Sequence, residues 1–399
     1  VFLVGWRCWL LVGCLGILQA EDRPPRVPRP VRDSGQIITI TADDVRPHVH
    51  ALAQPDQRGR GPEDREAARE YLLARYREYG LKPLFGESYL QPLPAGRIGE
   101  ALETFIGANI GGYLPATDPT LSSEWLIINA HYDHLGVRQG RVYPGADDNA
   151  SGVAMLLETA RQLSQAEVRP RRNIAFVAFD LEEQLLWGSR WFVAQPPFPL
   201  EQIKYCITAD LLGRSLGNLP FRAVFVMGSE HTPAVRQLLA SSHPADELEV
   251  LPLGADIVGT RSDYGPFRDQ RIPFLFFSTG EHPDYHTPRD TPDKIDYQKL
   301  AEISTLIARV THELSLLEEV PGWQRPDPAN LLDARTVNRV AREVLNADQA
   351  GLMQLSGLNR AFISQVEIRT ANALRREKLS ADERSWLVRA AQFMMYSLF

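Results

Sequence analysis

Two runs, 126–129 and 174–179, are apolar almost without interruption, as expected of strands buried on both faces. Between them, Val153, Leu156, Leu157 and Leu163 recur at helical spacing and predict a helix over 151–164. Further strand-like runs stand at 205–209, 223–227 and 272–278, and helical patterns at 187–193, 232–241 and 297–317. Strands alternating with helices predict an α/β fold, a mostly parallel mixed sheet flanked by helices. Upstream, 41–80 reads as helical: Thr41 and Asp44 have the spacing of a capping box, and Gly80 stands where a helix would close. The segment 105–114 reads as a strand and turn. The prolines at 321–328 break the pattern, and 330–399 then reads as helical, a C-terminal helical extension with no repeats and no chemistry of its own.

Composition changes this picture little in the middle of the chain and more at its start. Apolar residues make up 44% and charged residues 23%, with 43 basic against 50 acidic side chains. A net charge of −7 gives no reason to expect nucleic acid as a partner. Residues 1–20 are apolar around a single cation, Arg7, and then give way to Glu21 and Asp22, the layout of a signal peptide. Leu11-Val12-Gly13-Cys14 also resembles a lipoprotein box, which would make Cys14 a lipid anchor and the membrane a partner through that anchor alone; an uncleaved N-terminal anchor is the bland alternative. The expectation is export, to the periplasm or the outside of the cell. The expected division is 1–20 signal peptide, 21–36 Pro-rich linker, 37–320 main domain and 321–399 helical extension. With Cys8 and Cys14 in the leader, Cys206 is left alone, so neither an internal disulfide nor a cysteine metal site is available.

The candidate chemistry lies where strand-like runs end. His131 ends the first, Glu182 and Glu183 follow the second, Asp210 follows the third, and His286 stands in PDYHTPRDT after the last. Asp147 and Asp148 sit on a glycine-containing turn that opens the helix at 151. Histidine nitrogens and carboxylates are the donors of metal-dependent hydrolases, and parallel sheets bind ligands beyond the C-terminal ends of their strands. Each residue has a plain alternative: a core histidine, a helix cap, or acidic residues favoured at a helix start. Their joint placement at strand ends in one order is what favours a metal site. His134 competes with His131, and His282 with His286; strand-end position favours His131.

The motifs AHYDH, GADDNASG, FDLEEQ, ADLLG, SDYGPF and YHTPRDT resemble those of the M28 metallopeptidase family, zinc aminopeptidases of the aminopeptidase Y and bacterial leucine-aminopeptidase type. The resemblance implies a zinc-exopeptidase (phosphorylase/hydrolase-like) fold over about 41–317 and two zinc ions per chain. His131 and Asp210 would hold one zinc, Glu183 and His286 the other, and Asp148 would bridge them, followed by a peptide bond to Asn149 that is often cis. The Thr-Pro-x-Asp-Thr after His286 matches the family's last ligand and favours it over His282. Asp133 would orient His131, Glu182 would be the general base, and Tyr285 matches an oxyanion donor of some relatives. The implied activity is hydrolysis of the N-terminal peptide bond of a peptide. In place of a usual glycine the chain has Leu185, which would shift the helix entry or narrow the pocket. The stretch before His131 is too short for the protease-associated domain that relatives often insert. Rival readings on the same fold are a one-zinc glutaminyl cyclase, an amidohydrolase of non-peptide amides, and a binding module without catalysis.

Overall fold

The computed structural model describes residues 38–95, 104–243 and 247–398. The expected signal peptide, the Pro-rich linker and Cys14 lie outside the described residues.

The chain opens with α1 (Ala42–Ala53), capped as its sequence predicts: the Thr41 hydroxyl accepts from the Asp44 amide while the Asp44 carboxylate accepts from the Thr41 amide. A turn at Pro55–Arg60 separates it from α2 (Glu66–Glu78), so 41–80 is two helices rather than one. Gly80, at φ 69°, ends α2, with the Leu81 amide donating to the Tyr76 carbonyl. The short β1 (Lys82–Pro83) and β2 (Leu90–Pro94) were not predicted; both pair antiparallel with β3 (Phe105–Leu114). There follow β4 (Trp125–His131), a two-stranded excursion of β5 (Val137–Arg138) and β6 (Arg141–Val142), α3 (Gly152–Gln165), β7 (Asn173–Phe179), α4 (Trp187–Ala194), β8 (Ile203–Ala209), β9 (Ala223–Met227), α5 (Val235–Ser241), β10 (Glu249–Pro252), α6 (Ala255–Val258), α7 (Tyr264–Asp269), β11 (Phe274–Ser278) and α8 (Tyr297–Leu316). The extension is α9 (Leu332–Gln349), α10 (Gly357–Arg375) and α11 (Ala381–Leu398).

The main sheet runs β1-β3-β7-β4-β8-β11-β9-β10, with β2 on β3. Its centre, β7-β4-β8-β11, is parallel, while β3 against β7 and β9 against β11 are antiparallel. The chain goes from β4 to one neighbour, β7, and returns to the other, β8, so β4 marks a switch in winding direction, where such sheets open a crevice.

Alternation along the strands builds two cores. Leu126, Ile128 and Ala130 face the side covered by α1, α3 and α8. Ile127, Val177 and Phe179 face the other side, where they join Val337 of α9, Ile363 of α10 and Leu387 of α11 in one apolar cluster. The extension is therefore packed into the core of the second face. Among the described residues no helix is long and apolar enough to cross a membrane.

Candidate metal centre

Parallel pairing carries the chemistry to one edge. His131, the last residue of β4, lies opposite Phe179, the last of β7, so the Glu182–Glu183 turn leaves the sheet beside it. Asn129 pairs with Thr208, which sets Asp210 level with His131 at the end of β8. Phe277 of β11 pairs with Ala209, and the loop beyond it carries His286.

Two groups of metal-type ligands form there, the donor atoms in each lying within 4.8 Å of one another: His131, Glu182 and Asp210, and His134, Asp148, Glu183 and His286. Asp148 joins them. Its Oδ1 is 3.3 Å from His131 Nε2, and its Oδ2 is 2.9 Å from His286 Nε2. Asp210 Oδ1 is 3.4 Å from His131 Nε2. Glu183 Oε1 is 2.8 Å from His134 Nδ1 and 3.3 Å from His286 Nε2. Asp148 Oδ2, Glu183 Oε1, Asp210 Oδ1 and both His134 nitrogens are buried yet lack an aligned hydrogen-bond partner. Buried charged groups that approach closely without hydrogen-bonding are costly unless something else binds them. Lone pairs converging in this way are what a cation requires, so the donor set fits metal.

The neighbouring residues hold these donors in place. The Nδ1 of His131 lies 3.2 Å from the Asp133 carbonyl and 3.6 Å from its carboxylate, which leaves Nε2 facing Asp148 and Asp210. The Asp133 carboxylate also accepts from the amides of Glu182, at 3.1 Å, and Glu183, at 3.4 Å, so one side chain fixes His131 and the acidic turn. The acidic pair and asparagine at 147–149 divide their duties. Asn149 caps α3, accepting from the Gly152 amide, and its own amide nitrogen donates to the Ala209 carbonyl. Asp147 accepts from the Gly213 amide and lies 3.4 Å from His282. Asp148 turns its carboxylate to His131, His134 and His286. His282 belongs to neither ligand group. The Asp148–Asn149 peptide bond is cis.

Three supports escaped the sequence reading. Asp290 accepts from the amides of Asp147 and Asp148 and so holds the loop from outside. The buried guanidinium of Arg60 donates to the carbonyls of Leu52, Tyr132, Pro144, Gly145 and Asp148. Burial lowers its pKa to about 10, with Asp148 and Asp290 opposing, so it stays charged at neutral pH. At Gly145, φ is 60° and a Cβ would lie 2.1 Å from the Asp148 carbonyl, so glycine is required there. The signals were present, in Arg-Gly-Arg-Gly at 58–61 and in the aspartate of PRD at 288–290, but carbonyl-directed contacts across long separations leave no periodicity to read.

Backbone strain gathers at the same edge. Leu181, Leu185, Leu186, Leu211 and His286 all have φ between 52° and 62°, a region that bulky side chains rarely occupy. At Leu185 the left-handed backbone is the one that glycine favours, and the side chain is 79% exposed. The helix entry thus has a backbone shape that glycine favours, with the Leu185 side chain turned to solvent.

The electrostatics separate the two glutamates. Burial pushes the Glu182 pKa well above the usual range, with Asp263 and Asp210 adding to the rise and His131 opposing it. Burial and Asp148 would also raise Glu183, but contacts with His134 and His286 outweigh them and hold it at about 2. The Tyr285 ring stacks on His286 with centroids 3.9 Å apart, and burial beside Asp148 and Asp210 raises its pKa, which keeps the phenol protonated.

With this geometry in hand, the family model described as peptidase family M28 matches residues 109–311, about half of the chain. The chain is 30% identical to the uncharacterised Escherichia coli protein YfbL over 225 residues, 49% of this chain and 67% of that protein. It is 27% identical to aminopeptidase YwaD of Bacillus subtilis over 213 residues, again 49% of this chain but only 42% of that protein, so it spans less than half of that relative's length. The fold resembles that of Porphyromonas gingivalis glutaminyl cyclase, with a TM-score of 0.55 at 20% identity, over 69% of this chain and 99% of the other.

Proposed function

The chain belongs to peptidase family M28, and from that premise we propose that it is a two-zinc aminopeptidase that hydrolyses the N-terminal peptide bond of peptides. The observation that carries this reading is Asp148, whose two carboxylate oxygens face two different histidines in two adjoining ligand groups. His131 and Asp210 would hold one zinc, Glu183 and His286 the other, and Asp148 both. His134, 2.8 Å from Glu183, would orient that carboxylate or join the second set. Zinc held there would act as a Lewis acid and would lower the pKa of a bound water toward neutrality, so that it could be deprotonated to a nucleophile.

The protein's own groups do the rest. Glu182 lies with His131 and Asp210 but is raised in pKa by burial, the property of a carboxylate that takes a proton and returns it to the leaving amine. Tyr285, protonated and beside His286, would donate a hydrogen bond to the developing oxyanion. Export of the enzyme is part of the proposal and rests on the pattern of residues 1–20.

The cyclase-like fold supports a second reading, formation of pyroglutamate from an N-terminal glutamine. One assay separates them. Aminoacyl p-nitroanilides and a Gln-initiated peptide are incubated with the full chain, with and without a chelator. Chelator-sensitive release of nitroaniline is the expected result; pyroglutamate without nitroaniline would replace this reading with the second.

A further inference from the structure

His134 has two conceivable duties, to orient Glu183 or to bind metal itself, and its surroundings separate them. The side chain is wholly buried, and the loop is built around its ring. The His134 amide donates to the Arg60 carbonyl. Gly145 makes room for the ring, since a Cβ there would stand 2.5 Å from His134 Cδ2. Nδ1 is thereby turned to Glu183 Oε1, at 2.8 Å, and to Asp148 Oδ2, at 3.6 Å. An orienting histidine would hold Glu183 by an aligned hydrogen bond. No such bond forms: Nδ1 and Oε1 are both buried and both without an aligned partner among the described residues.

We propose that His134 is a metal ligand, the fourth protein donor of the loop set beside Asp148, Glu183 and His286. The inference rests on the two-zinc reading and adds a donor that the motif resemblance does not supply. Besides the two distances from His134, His286 Nε2 lies 2.9 Å from Asp148 Oδ2 and 3.3 Å from Glu183 Oε1. Zinc bonds of about 2.0–2.1 Å set tetrahedral edges of roughly 3.3 Å, and the four separations bracket that value. The other set differs. His131 Nε2 stands 3.4 Å from Asp210 and 3.3 Å from Asp148, and those three donors leave a tetrahedral position open. Glu182 belongs to that group, so the open position lies on the side of the proposed base. One site is thus closed by four protein donors and the other open with three. The scaffold accounts for the difference. Sheet pairing fixes His131 and Asp210 in advance, so three donors suffice there. His134, Glu183 and His286 stand on loops, and ordering them has an entropic cost that a fourth bond offsets.

The test measures metal binding by the full chain rather than turnover. Metal-free protein is titrated with zinc against a chromophoric chelator, wild type beside His134→Ala and His134→Asn. Asparagine keeps an amide N–H near the place of Nδ1, so it can still orient Glu183 but is a poor zinc ligand. Both variants should lose more than about a hundredfold in affinity for one of the two ions, beyond the roughly 10–100-fold that follows loss of an orienting partner. The other ion should bind as in the wild type. A second measurement needs no substitution. Wild-type chain carrying ¹⁵N-labelled histidine is loaded with ¹¹³Cd, and the cadmium spectrum counts the imidazoles on each ion. One resonance should couple to two histidine nitrogens and the other to one. Coupling to a single nitrogen at both ions, or an asparagine variant that binds both ions as tightly as the wild type, overturns the proposal and leaves the two-zinc reading standing. A wild type that takes up one ion removes the two-zinc reading; His134 then stays a ligand only if His134→Asn weakens that ion to the same degree.

Discussion

The two halves of the metal centre are built differently. His131 and Asp210 stand at the ends of β4 and β8, and the hydrogen bonds of a parallel sheet set their separation. His134, Glu183 and His286 all stand on loops, held by other side chains and by strained backbone. The His131 side chain is nearly inaccessible, whereas that of His286 is 37% exposed. At the sheet edge the backbone pairing sets the positions, and Asp133 adds only the orientation of the His131 ring. The loop half is held by Asp133, Asp290 and Arg60, and it carries the more exposed histidine.

Glu182 divides the comparison most sharply, because it groups with the strand-end half yet burial raises its pKa well above the usual carboxylate range. Glu182→Gln should lower kcat by roughly 10²–10⁴-fold while zinc content and thermal stability stay as in the wild type. Loss of zinc together with activity would make Glu182 a ligand beside His131, Asp210 and the shared Asp148.

A smaller effect is expected in the loop half. Leu185 occupies a left-handed backbone and buries little, so Leu185→Gly removes strain without opening a cavity. It should raise stability by up to about 1 kcal/mol in denaturant unfolding, with metal content unchanged. A loss of stability would mean that the exposed side chain has a partner in the working enzyme.

The difference between the halves also explains what could be read in the chain. Apolar runs located β4, β7, β8, β9 and β11 to within a few residues, and because parallel strands end on one edge, His131, Glu182, Glu183 and Asp210 followed from their ends. His286 rested on a motif. His134 was set aside because it follows no strand, yet it reaches the centre through the loop after β4. The same limit hid β1, two residues long, β2, whose run is broken by Pro92 and Pro94, and Arg60, whose partners are carbonyls up to 88 residues away. The extension was legible as helix but not as the cover of the second core, since that depends on the sheet face it packs against.

The central claim is that the two halves hold two metals through a shared Asp148. Its most direct test is the zinc content, by plasma mass spectrometry, of the zinc-loaded and desalted full chain beside Glu183→Ala. The account predicts two zinc ions per wild-type chain and one in the variant, kept by the strand-end half. One zinc in the wild type, or an unchanged count in Glu183→Ala, would contradict it.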